Sequence, residues 1–412
     1  MQHTQSRPKV VIVGGGFAGI EVVKTLHKLG TSVDITVVSK SPTFEYYPAL
    51  YKLVTGALPI EVSVPLKKIF GNEQIHLVEA TYTGFDSARQ VITVVDSSGA
   101  SQEISYDYLI LALGSETNFF NIKGLSELSH SFKSVTAALK LKRHFCELFA
   151  GAQGLAKEEL VERFHVLVVG GGPSGVELAG DLRSFLSRVA IEHGVDPSYV
   201  TIDLIESNPR VLPTLPPKVS RIAEARLRKM GVNIFVNRTL AEQEVEEVML
   251  KDMSVNTHTV VWTAGTRINS AFTQIPGVTF DERKRVVVTE TLNLPNDNRV
   301  FIAGDGAATQ YSGLAQTAID HGAYIARHID RTITSKPTTP YKPTKPSFVI
   351  PIGVGWALVN HNSFMMKGWI PWILRSIVDF RYFLHIVPLA HVFAVFKKGK
   401  KYRKIKGGCS LE

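Results

Sequence analysis

Cysteine is almost absent from this chain of 412 residues, which has only Cys146 and Cys409. Two cysteines so far apart, with no Cys-x-x-Cys pair, argue against a disulfide scaffold and a cysteine-ligated metal, and suit a reducing compartment. The polar segment before Lys9 lacks the apolar core of a signal peptide and is too short for a transit sequence. We therefore expect a cytoplasmic chain with no metal site.

Long hydrophobic runs are also lacking. The most apolar stretch, Tyr382–Phe396, is about 15 residues long, and a bilayer-spanning helix needs about 20. The net charge of +9 is concentrated at the carboxy terminus, where Lys397–Lys406 holds seven basic residues and no acid. No aromatic stacking platform or recognition motif accompanies this basic run, so we expect no nucleic-acid partner.

One pattern occurs twice in the chain. VVIVGGGFAGIEVVKTL, starting at Val10, runs from a β-branched apolar strand through a glycine turn into a helix, and VLVVGGGPSGVELAGDL repeats it from Val166. Each copy is followed by a second short apolar strand. The repeat predicts an α/β protein with two Rossmann-like dinucleotide-binding domains.

The first glycine turn has the spacing GxGxxG. Gly14 permits the tight turn, Gly16 lets the backbone approach a pyrophosphate, and Gly19 lets the helix pack on the strand. The helix amino terminus then offers unpaired N–H groups to the phosphates. The second strand ends in Ser39 and Lys40 where an acid usually holds ribose. A weakened ribose contact through Ser39 and a 2′-phosphate bound by Lys40 both stay open.

The second glycine turn repeats this spacing at Gly170, Gly172 and Gly175. Its second strand ends at Glu206, and a carboxylate there binds the ribose hydroxyls of NADH and repels the 2′-phosphate of NADPH. Arg210 follows four residues later and leaves NADPH as an alternative. The pattern favours NADH.

A third element, RVFIAGDGA, ends a strand at Asp305. An acid at this position can bind the ribityl chain of FAD. The following LAQTAIDHG starts a helix whose amino terminus is predicted to face the flavin ring, where negative charge gathers on reduction.

Together these motifs resemble those of the type II NADH dehydrogenases, the non-proton-pumping NADH:quinone oxidoreductases of the pyridine nucleotide-disulfide reductase-like superfamily. The resemblance covers about residues 8–330 and, more loosely, the carboxy-terminal region. It is carried by VVIVGGGFAGIE, YYPALYKLVTGAL, VVGGGPSGVELAGDL, DPSYVTIDLIESNPRVLP, VVWTAGT, FIAGDGA and AQTAIDHG. It implies bound FAD, NADH as the hydride donor and a quinone as the acceptor.

The resemblance also assigns residues to these ligands. It implies FAD contacts at Gly14, Gly16, Gly19, Asp305 and Gln316, and NADH contacts at Gly170, Gly172, Gly175 and Glu206. Ser39, Gly114 and Gly265 are further predicted cofactor contacts.

Two side chains are the predicted catalytic residues. Glu177 lies in the first turn predicted for the second helix, where it is either an acid complementing the helix dipole or a carboxylate near nicotinamide and quinone. The resemblance favours the second role. Ala315-Gln316 matches the start of the family's AQxAxQ quinone motif, but Asp320 replaces its second glutamine and His321 follows, so the quinone geometry stays open.

The carboxy-terminal region has a helical rhythm of apolar residues, Trp369, Trp372, Ile373, Ser376, Ile377, Phe380 and Leu384. One interpretation is a helical pair packed on the flavin domain. The favoured one is a peripheral, monotopic anchor on the cytoplasmic face of the cell membrane, with the basic tail on anionic lipids. The predicted domains are 1–125 and 286–335 for FAD, 126–285 for NADH, and 336–412 for the membrane.

Three other activities fit the same fold. A reductase of a soluble acceptor and a redox-sensing flavoprotein remain alternatives, whereas a disulfide or sulfide oxidoreductase needs paired cysteines beside the flavin. The sequence does not decide between a monomer and a homodimer, so a homodimer also stays open.

Overall fold

A computed structural model describes residues 7–71, 74–245, 247–251, 253–362, 364–389, 392 and 409. Its α-helices are Phe17–Leu29 (α1), Leu50–Val54 (α2), Leu66–Phe70 (α3), Leu125–Leu128 (α4), Val135–Ala150 (α5), Lys157–Arg163 (α6), Pro173–Glu192 (α7), Pro217–Lys229 (α8), Ala315–Ile333 (α9) and Trp369–Ile386 (α10).

The strands alternate with these helices. They are Lys9–Val13 (β1), Asp34–Ser39 (β2), Thr43–Glu45 (β3), Ser63–Pro65 (β4), Ile75–Glu79 (β5), Thr81–Asp86 (β6), Val91–Val95 (β7), Ser101–Ser105 (β8), Tyr108–Leu111 (β9), Ser115–Thr117 (β10), His165–Val169 (β11), Thr201–Ile205 (β12), Val232–Phe235 (β13), Leu240–Gln243 (β14), Glu247–Leu250 (β15), Met253–Asn256 (β16), Thr259–Trp262 (β17), Thr266–Ile268 (β18), Asn293–Leu294 (β19), Asp297–Ile302 (β20), Phe348–Pro351 (β21), Ala357–His361 (β22) and Phe364–Gly368 (β23).

Two compact units divide the chain. Unit 1 consists of the described parts of Met1–Glu45, Val64–Glu116 and Thr266–Pro346. Its main sheet has the strand order β19-β20-β9-β1-β2-β5, in which β1 pairs in parallel with both β2 and β9. Strand β1 is buried on both faces after Lys9. Val11 and Val13 pack in one core with residues of the antiparallel sheet β6-β7-β8, and α1 and α9 pack together in the same unit.

Unit 2 consists of the described parts of Tyr46–Ser63, Thr117–Gly265 and Ser347–Glu412. Its parallel sheet has the order β13-β12-β11-β17, so β11 again lies between its sequence neighbour and a later strand. This is the arrangement of unit 1 in a smaller form. The predicted α/β class with two doubly wound domains is confirmed.

Most predicted elements are present. The strands predicted near His76, Gln90, Tyr108 and Thr259 correspond to β5, β7, β9 and β17, and the predicted helix from Leu314 corresponds to α9. A strand predicted at Val286–Val288 is wrong. Val286 instead makes isolated bridges to Phe280 and Ala307. The pairing does not extend along the chain, because the backbone groups on either side of Val286 bond to loop residues and not to a continuous partner strand.

The carboxy-terminal region is only partly helical. Before α10 the chain forms a three-stranded antiparallel sheet, β21-β22-β23, which the helical interpretation of this region missed. The strands are only four or five residues long and show no regular alternation of apolar and polar residues, so their sequence gave no clear strand signal. The basic run Lys397–Lys406 lies outside the described residues.

The expectation of two separate cysteines is wrong. Cys146 on α5 and Cys409 form a disulfide, with their Cα atoms 5.4 Å apart, although 263 residues separate them in sequence. Both belong to unit 2. Sequence separation therefore gave no information about their separation in space.

Helix α10 is amphipathic, but its apolar face is the exposed one and its buried face includes the charged Asp379. Trp369, Ile377 and Val378 are 64%, 53% and 51% exposed, whereas Asp379 is buried. The apolar rhythm seen in the sequence thus marks the solvent-facing side of the helix. Within the described residues no helix is both long enough and apolar enough to cross a membrane.

Candidate nucleotide and proton-transfer sites

The first glycine turn connects β1 to α1. Gly14 has φ of +121°, and a Cβ there or at Gly19 would overlap the carbonyl oxygen of Ala112 or of Gly14, respectively. By contrast, a Cβ built on Gly16 meets no heavy atom within 4 Å. Gly14 and Gly19 therefore shape the turn, while Gly16 leaves room on the side of the helix start that a phosphate would approach.

The second turn, between β11 and α7, has the same division of roles. Gly170 has φ of +117° and lies so close to Ala264 that a Cβ would be 2.7 Å from its nitrogen. A Cβ on Gly175 would overlap the Gly170 carbonyl oxygen, whereas Gly172 has open space around it. The repeat in the sequence is therefore also a repeat in backbone geometry.

Both turns lie at the carboxyl end of a central strand. Strand β1 lies between β9 and β2, and β11 lies between β12 and β17, so each central strand has one later strand on either side of it in the sheet. Ligands of doubly wound sheets bind at this switch point. The following helices have Gly16 and Gly172 at their N-caps with no side-chain cap, so their first N–H groups remain available to an anion.

The ends of the second strands differ. In unit 1 the Ser39 hydroxyl donates to the carbonyl oxygen of Ser41 at 2.7 Å, which leaves its oxygen as an acceptor, and Lys40 is exposed. In unit 2, Glu206 is buried. Its Oε2 accepts from the Gly171 N–H at 2.7 Å and its Oε1 from the Asn208 N–H at 2.7 Å.

These bonds fix the Glu206 carboxylate beside the glycine turn. A carboxylate has about four acceptor positions, and Oε2 has one protein donor, so it can accept a further hydroxyl. Arg210, the residue that left NADPH open, is already engaged. Its guanidinium donates to the carbonyl oxygens of Leu215 at 2.8 Å and Pro213 at 2.6 Å.

Asp305 lies just after β20 in unit 1. The Ser115 hydroxyl donates to its Oδ2 at 2.6 Å. The neighbouring Gly304 N–H donates to Nδ1 of the fully buried His321, whose pKa burial lowers to about 4. A neutral His321 therefore holds the loop that presents Asp305.

Gln316, Asp320 and Gly114 are the remaining predicted residues of unit 1. Gln316 is exposed in the first turn of α9, which has no side-chain cap. Asp320, which replaces the motif's second glutamine, is hydrogen-bonded to Thr344 of the proline-rich segment. Gly114 follows β9, and its carbonyl oxygen accepts from the Asn269 N–H.

Gly265 is the counterpart of Gly114 in unit 2, since it follows β17. It lies against the ring of Phe120, and its carbonyl oxygen accepts from the Asn118 N–H. Trp262 Nε1 donates to the Asn118 carbonyl oxygen at 2.9 Å, so hydrogen bonds join the end of β17 to residues 118–120.

The sequence predicted that Glu177 lies in the first turn of its helix, and this prediction is wrong. Helix α7 begins at Pro173, a residue suited to the first helical position, so Glu177 is the fifth residue and the first turn has no acid. At this position it gains little from the helix dipole. Glu177 is 8% exposed and lies in a cluster of charged side chains.

The other members of this cluster come from distant segments of unit 2. Asp379 pairs with Lys52 Nζ at 2.9 Å and with Arg375 Nε at 3.1 Å, and it accepts from the Tyr46 hydroxyl at 2.8 Å. Arg375 also donates to the carbonyl oxygen of Pro48 at 2.6 Å. The sequence gave one sign of this cluster, because Arg375 and Asp379 lie off the apolar stripe of α10.

The pKa values of these groups follow from burial and charge. Burial raises the pKa of Glu177 to about 8, with Arg375 and Lys52 opposing the shift. Burial acts to raise the pKa of Asp379 too, but Lys52 and Arg375 bring it below its ordinary value. The cluster thus contains one ionised carboxylate and one carboxyl that holds its proton at neutral pH.

Comparison with known proteins agrees with this geometry. The profile of the pyridine nucleotide-disulphide oxidoreductase family matches residues 8–322. A type II NADH:quinone oxidoreductase from Mycobacterium tuberculosis is 29% identical over 338 residues, covering 78% of this chain and 72% of that protein. One from Staphylococcus epidermidis is 27% identical over 413 residues, covering 96% and 99%.

Solved structures share the fold. NDH2 from Plasmodium falciparum, in complex with NADH, matches with a TM-score of 0.88 at 16% identity over 97% of this chain and 99% of that one. A sulfide:quinone oxidoreductase from Aquifex aeolicus matches with a TM-score of 0.77 at 19% identity over 92% and 90%. The resemblance inferred from the sequence motifs is confirmed.

Proposed function

The chain belongs to the pyridine nucleotide-disulphide oxidoreductase family, and on that premise we propose that it is an FAD-dependent NADH:quinone oxidoreductase. The observation that carries the proposal is the pair of glycine turns, each with an open middle glycine at a sheet switch point. The relatives named as type II NADH:quinone oxidoreductases support the choice of donor and acceptor over a soluble acceptor or a sensing role.

Unit 1 has the features that FAD requires. The space at Gly16 and the uncapped start of α1 suit its pyrophosphate, and the acceptor oxygens of Ser39 and Asp305 suit its ribose and ribityl hydroxyls. The uncapped start of α9, with Gln316, suits the polar edge of a flavin. Bound FAD would supply the two-electron chemistry that links a hydride donor to a quinone.

Unit 2 has the features that NADH requires. The space at Gly172 suits its pyrophosphate, and Glu206 offers Oε2 to a ribose hydroxyl. A 2′-phosphate would meet this fixed carboxylate, and Arg210 is bonded elsewhere. We therefore assign NADH rather than NADPH to this unit, with Gly114 and Gly265 as further cofactor contacts in units 1 and 2.

Glu177 is the proposed proton donor to the acceptor. It is buried, holds its proton at neutral pH and lies two residues beyond the last glycine of the NADH motif. Reduction of a quinone to a quinol requires protons as well as electrons, and a carboxyl with a pKa near the working pH is suited to deliver one.

The exposed apolar face of α10 is the proposed membrane contact. A continuous row of exposed Trp, Ile and Val side chains is unfavourable in water and favourable in the interfacial region of a bilayer. We also propose that this contact lies on the cytoplasmic face of the cell membrane and that Lys397–Lys406 binds anionic lipids. The proposed domains are 1–125, 126–285, 286–335 and 336–412. A homodimer remains an open prediction.

Turnover measurements test the function directly. The full chain is purified in detergent, its absorption spectrum is recorded, and NADH and NADPH oxidation are measured with several quinones, a soluble iron–sulfur acceptor and no acceptor. We expect a yellow protein that saturates with quinone and uses NADPH poorly. A colourless protein that binds no flavin, or turnover only with the soluble acceptor, contradicts the proposal.

Vesicle flotation tests the membrane contact. Ile373→Glu with Ile377→Glu should weaken binding by at least about a hundredfold, since burying each Ile is worth about 1.5–3 kcal/mol. Ile191→Glu is a matched control, because Ile191 is 67% exposed on α7 of the same unit. Equal flotation of all three proteins contradicts the assignment of α10. Vesicles with and without anionic lipid separate the contribution of the basic tail.

A further inference from the structure

The two helices that follow the glycine turns differ at one informative position. Counted from the last glycine of each motif, Glu21 and Glu177 are equivalent, and both are 8% exposed. One turn later α1 has Thr25, whose hydroxyl donates to Glu21 at 3.1 Å, whereas α7 has Asp181. The fold itself therefore accepts a neutral hydrogen-bond donor at this position, and unit 2 has a second acid instead.

Asp181 lies on the same face of α7 as Glu177, because residues four apart on a helix are neighbours. Thr55, at the end of α2, makes a side-chain hydrogen bond to Asp181, and Lys52 on the same helix is close enough to act on both acids. Asp181 is partly exposed whereas Glu177 is buried. The pair thus leads from a buried carboxyl to a half-buried one that lies nearer to the surface.

The charges around the pair do not balance when both acids are ionised. Lys52 and Arg375 supply two positive charges, and Asp379, in contact with both, cancels one of them. One positive charge then remains for Glu177 and Asp181. Placing a second uncompensated negative charge in a buried cluster is costly, so the balanced state has one proton on the pair.

We propose that Glu177 and Asp181 share a single proton at neutral pH, and that Asp181 is the group through which Glu177 regains its proton from water. This inference rests on the proposed function, since NADH, one proton and a quinone give NAD⁺ and a quinol. The hydride of NADH carries both electrons and one hydrogen, and the remaining proton comes from water. Asp181 acts through Glu177, so it is a positioning residue.

The ionisation of the pair fits this role. Burial raises the pKa of Asp181 to about 6, opposed by Lys52 and by the Thr55 hydrogen bond. Burial likewise raises the pKa of Glu177 to about 8, and the groups facing it are Arg375, Lys52, Asp181 and Asp379. Buried Tyr46 and Tyr51 complete the surroundings, and burial raises the pKa of both phenols, so they stay neutral.

Infrared titration of the FAD-loaded protein, without NADH or quinone, tests the shared proton. The C=O stretch of the protonated carboxyl should disappear near pH 8 in the wild type and be absent in Glu177→Gln, which assigns it. Asp181→Asn removes a negative neighbour, so the midpoint should fall by about one unit. Asp181→Thr, which copies α1, adds a donor and should lower it further.

Glu192→Gln is the matched control, because Glu192 ends the same helix on the surface and should leave the midpoint unchanged. An unchanged midpoint in Asp181→Asn overturns the proposal. If that variant does not fold, Thr55→Val serves instead. Losing the Thr55 hydrogen bond should raise the pH at which Asp181 ionises, and no change there is equally contradictory.

Kinetics test the relay. In Asp181→Asn, kcat with quinone should fall about tenfold, with an altered pH profile and an unchanged rate of flavin bleaching by NADH. In Asp181→Ala, a small weak acid in the buffer should restore turnover. Wild-type kcat and pH profile, or an equal loss in flavin bleaching, overturn the relay. If the wild type reduces no quinone, the proposed function fails, while the infrared midpoints still decide on the shared proton.

Discussion

The two glycine turns have nearly the same backbone but differ in what surrounds them. Gly14 and Gly170 have φ of +121° and +117°, and in each turn the middle glycine alone has open space. The second strands, however, end in Ser39 in unit 1 and Glu206 in unit 2. The comparison teaches that the glycines create a phosphate site of general use, whereas the nearby polar residues decide which nucleotide each unit binds.

Replacing the open glycines should give the largest effect. Gly16→Ala should abolish the yellow colour, and Gly172→Ala should leave the protein yellow but unable to bind NADH. Each added methyl group fills space that a pyrophosphate needs without touching the protein, so folding is retained. We expect binding to weaken on the order of a thousandfold, about 4 kcal/mol, measured by flavin absorbance and by calorimetry with NADH.

Gly84→Ala is the control for these variants, because Gly84 in β6 also has open space and lies in the antiparallel sheet of unit 1. It should retain both ligands. The opposite pattern, with Gly172→Ala colourless and Gly16→Ala yellow, would exchange the assignments of the two units.

The equivalent acids Glu21 and Glu177 allow the second test. Glu177→Gln should lower kcat with quinone about a hundredfold, because an amide cannot donate the proton that the buried carboxyl holds. Glu21→Gln, in which an amide oxygen can still accept from Thr25, should leave kcat near that of the wild type. Stopped-flow flavin reduction by NADH, with quinone reoxidation measured separately, locates the loss.

A slow reoxidation step in Glu177→Gln with normal flavin reduction is the expected pattern. Equal losses in both half-reactions would instead indicate that the substitution disturbs the NADH site. Equal losses from Glu21→Gln would show that the two positions do not differ in function.

The difference at the ends of the second strands gives a smaller effect. Glu206→Gln keeps the size of the side chain but removes its charge, so the preference for NADH over NADPH should narrow about tenfold. The measurement is kcat/KM for both nucleotides. Ser39→Ala, the matching change in unit 1, should leave this ratio unchanged. A wild type that uses both nucleotides equally would contradict the role of Glu206.

Sequence and structure agree on local geometry that depends on consecutive residues. The glycine turns, Glu206 and Asp305 were predicted because each lies at a fixed distance from a strand or helix boundary. The cluster around Asp379 was not, since Lys52, Glu177 and Asp379 come from three distant segments that meet only after unit 2 folds. The Cys146–Cys409 disulfide was missed for the same reason, because its two residues are separated by 263 positions in sequence.

The smallest effect expected is a pH-dependent difference in stability between the wild type and Glu177→Gln. In the folded protein the pKa of Glu177 rises from 4.5 to about 8, so between these values the folded state holds a proton that the unfolded chain has released. Wild-type stability should therefore fall as pH rises through this window and level off above pH 8, whereas Glu177→Gln lacks this dependence. The difference amounts to a few kcal/mol at most, and at about 2–4 °C per kcal/mol it is measurable as a change in Tm between pH 5 and pH 9.

Glu21→Gln, at the equivalent position of unit 1, is the matched control and should not reproduce it. A Tm difference between wild type and Glu177→Gln that is constant with pH would show that Glu177 is ionised throughout this range. Glu177 would then have no proton to donate, and the proposed difference in chemistry between Glu21 and Glu177 would be wrong.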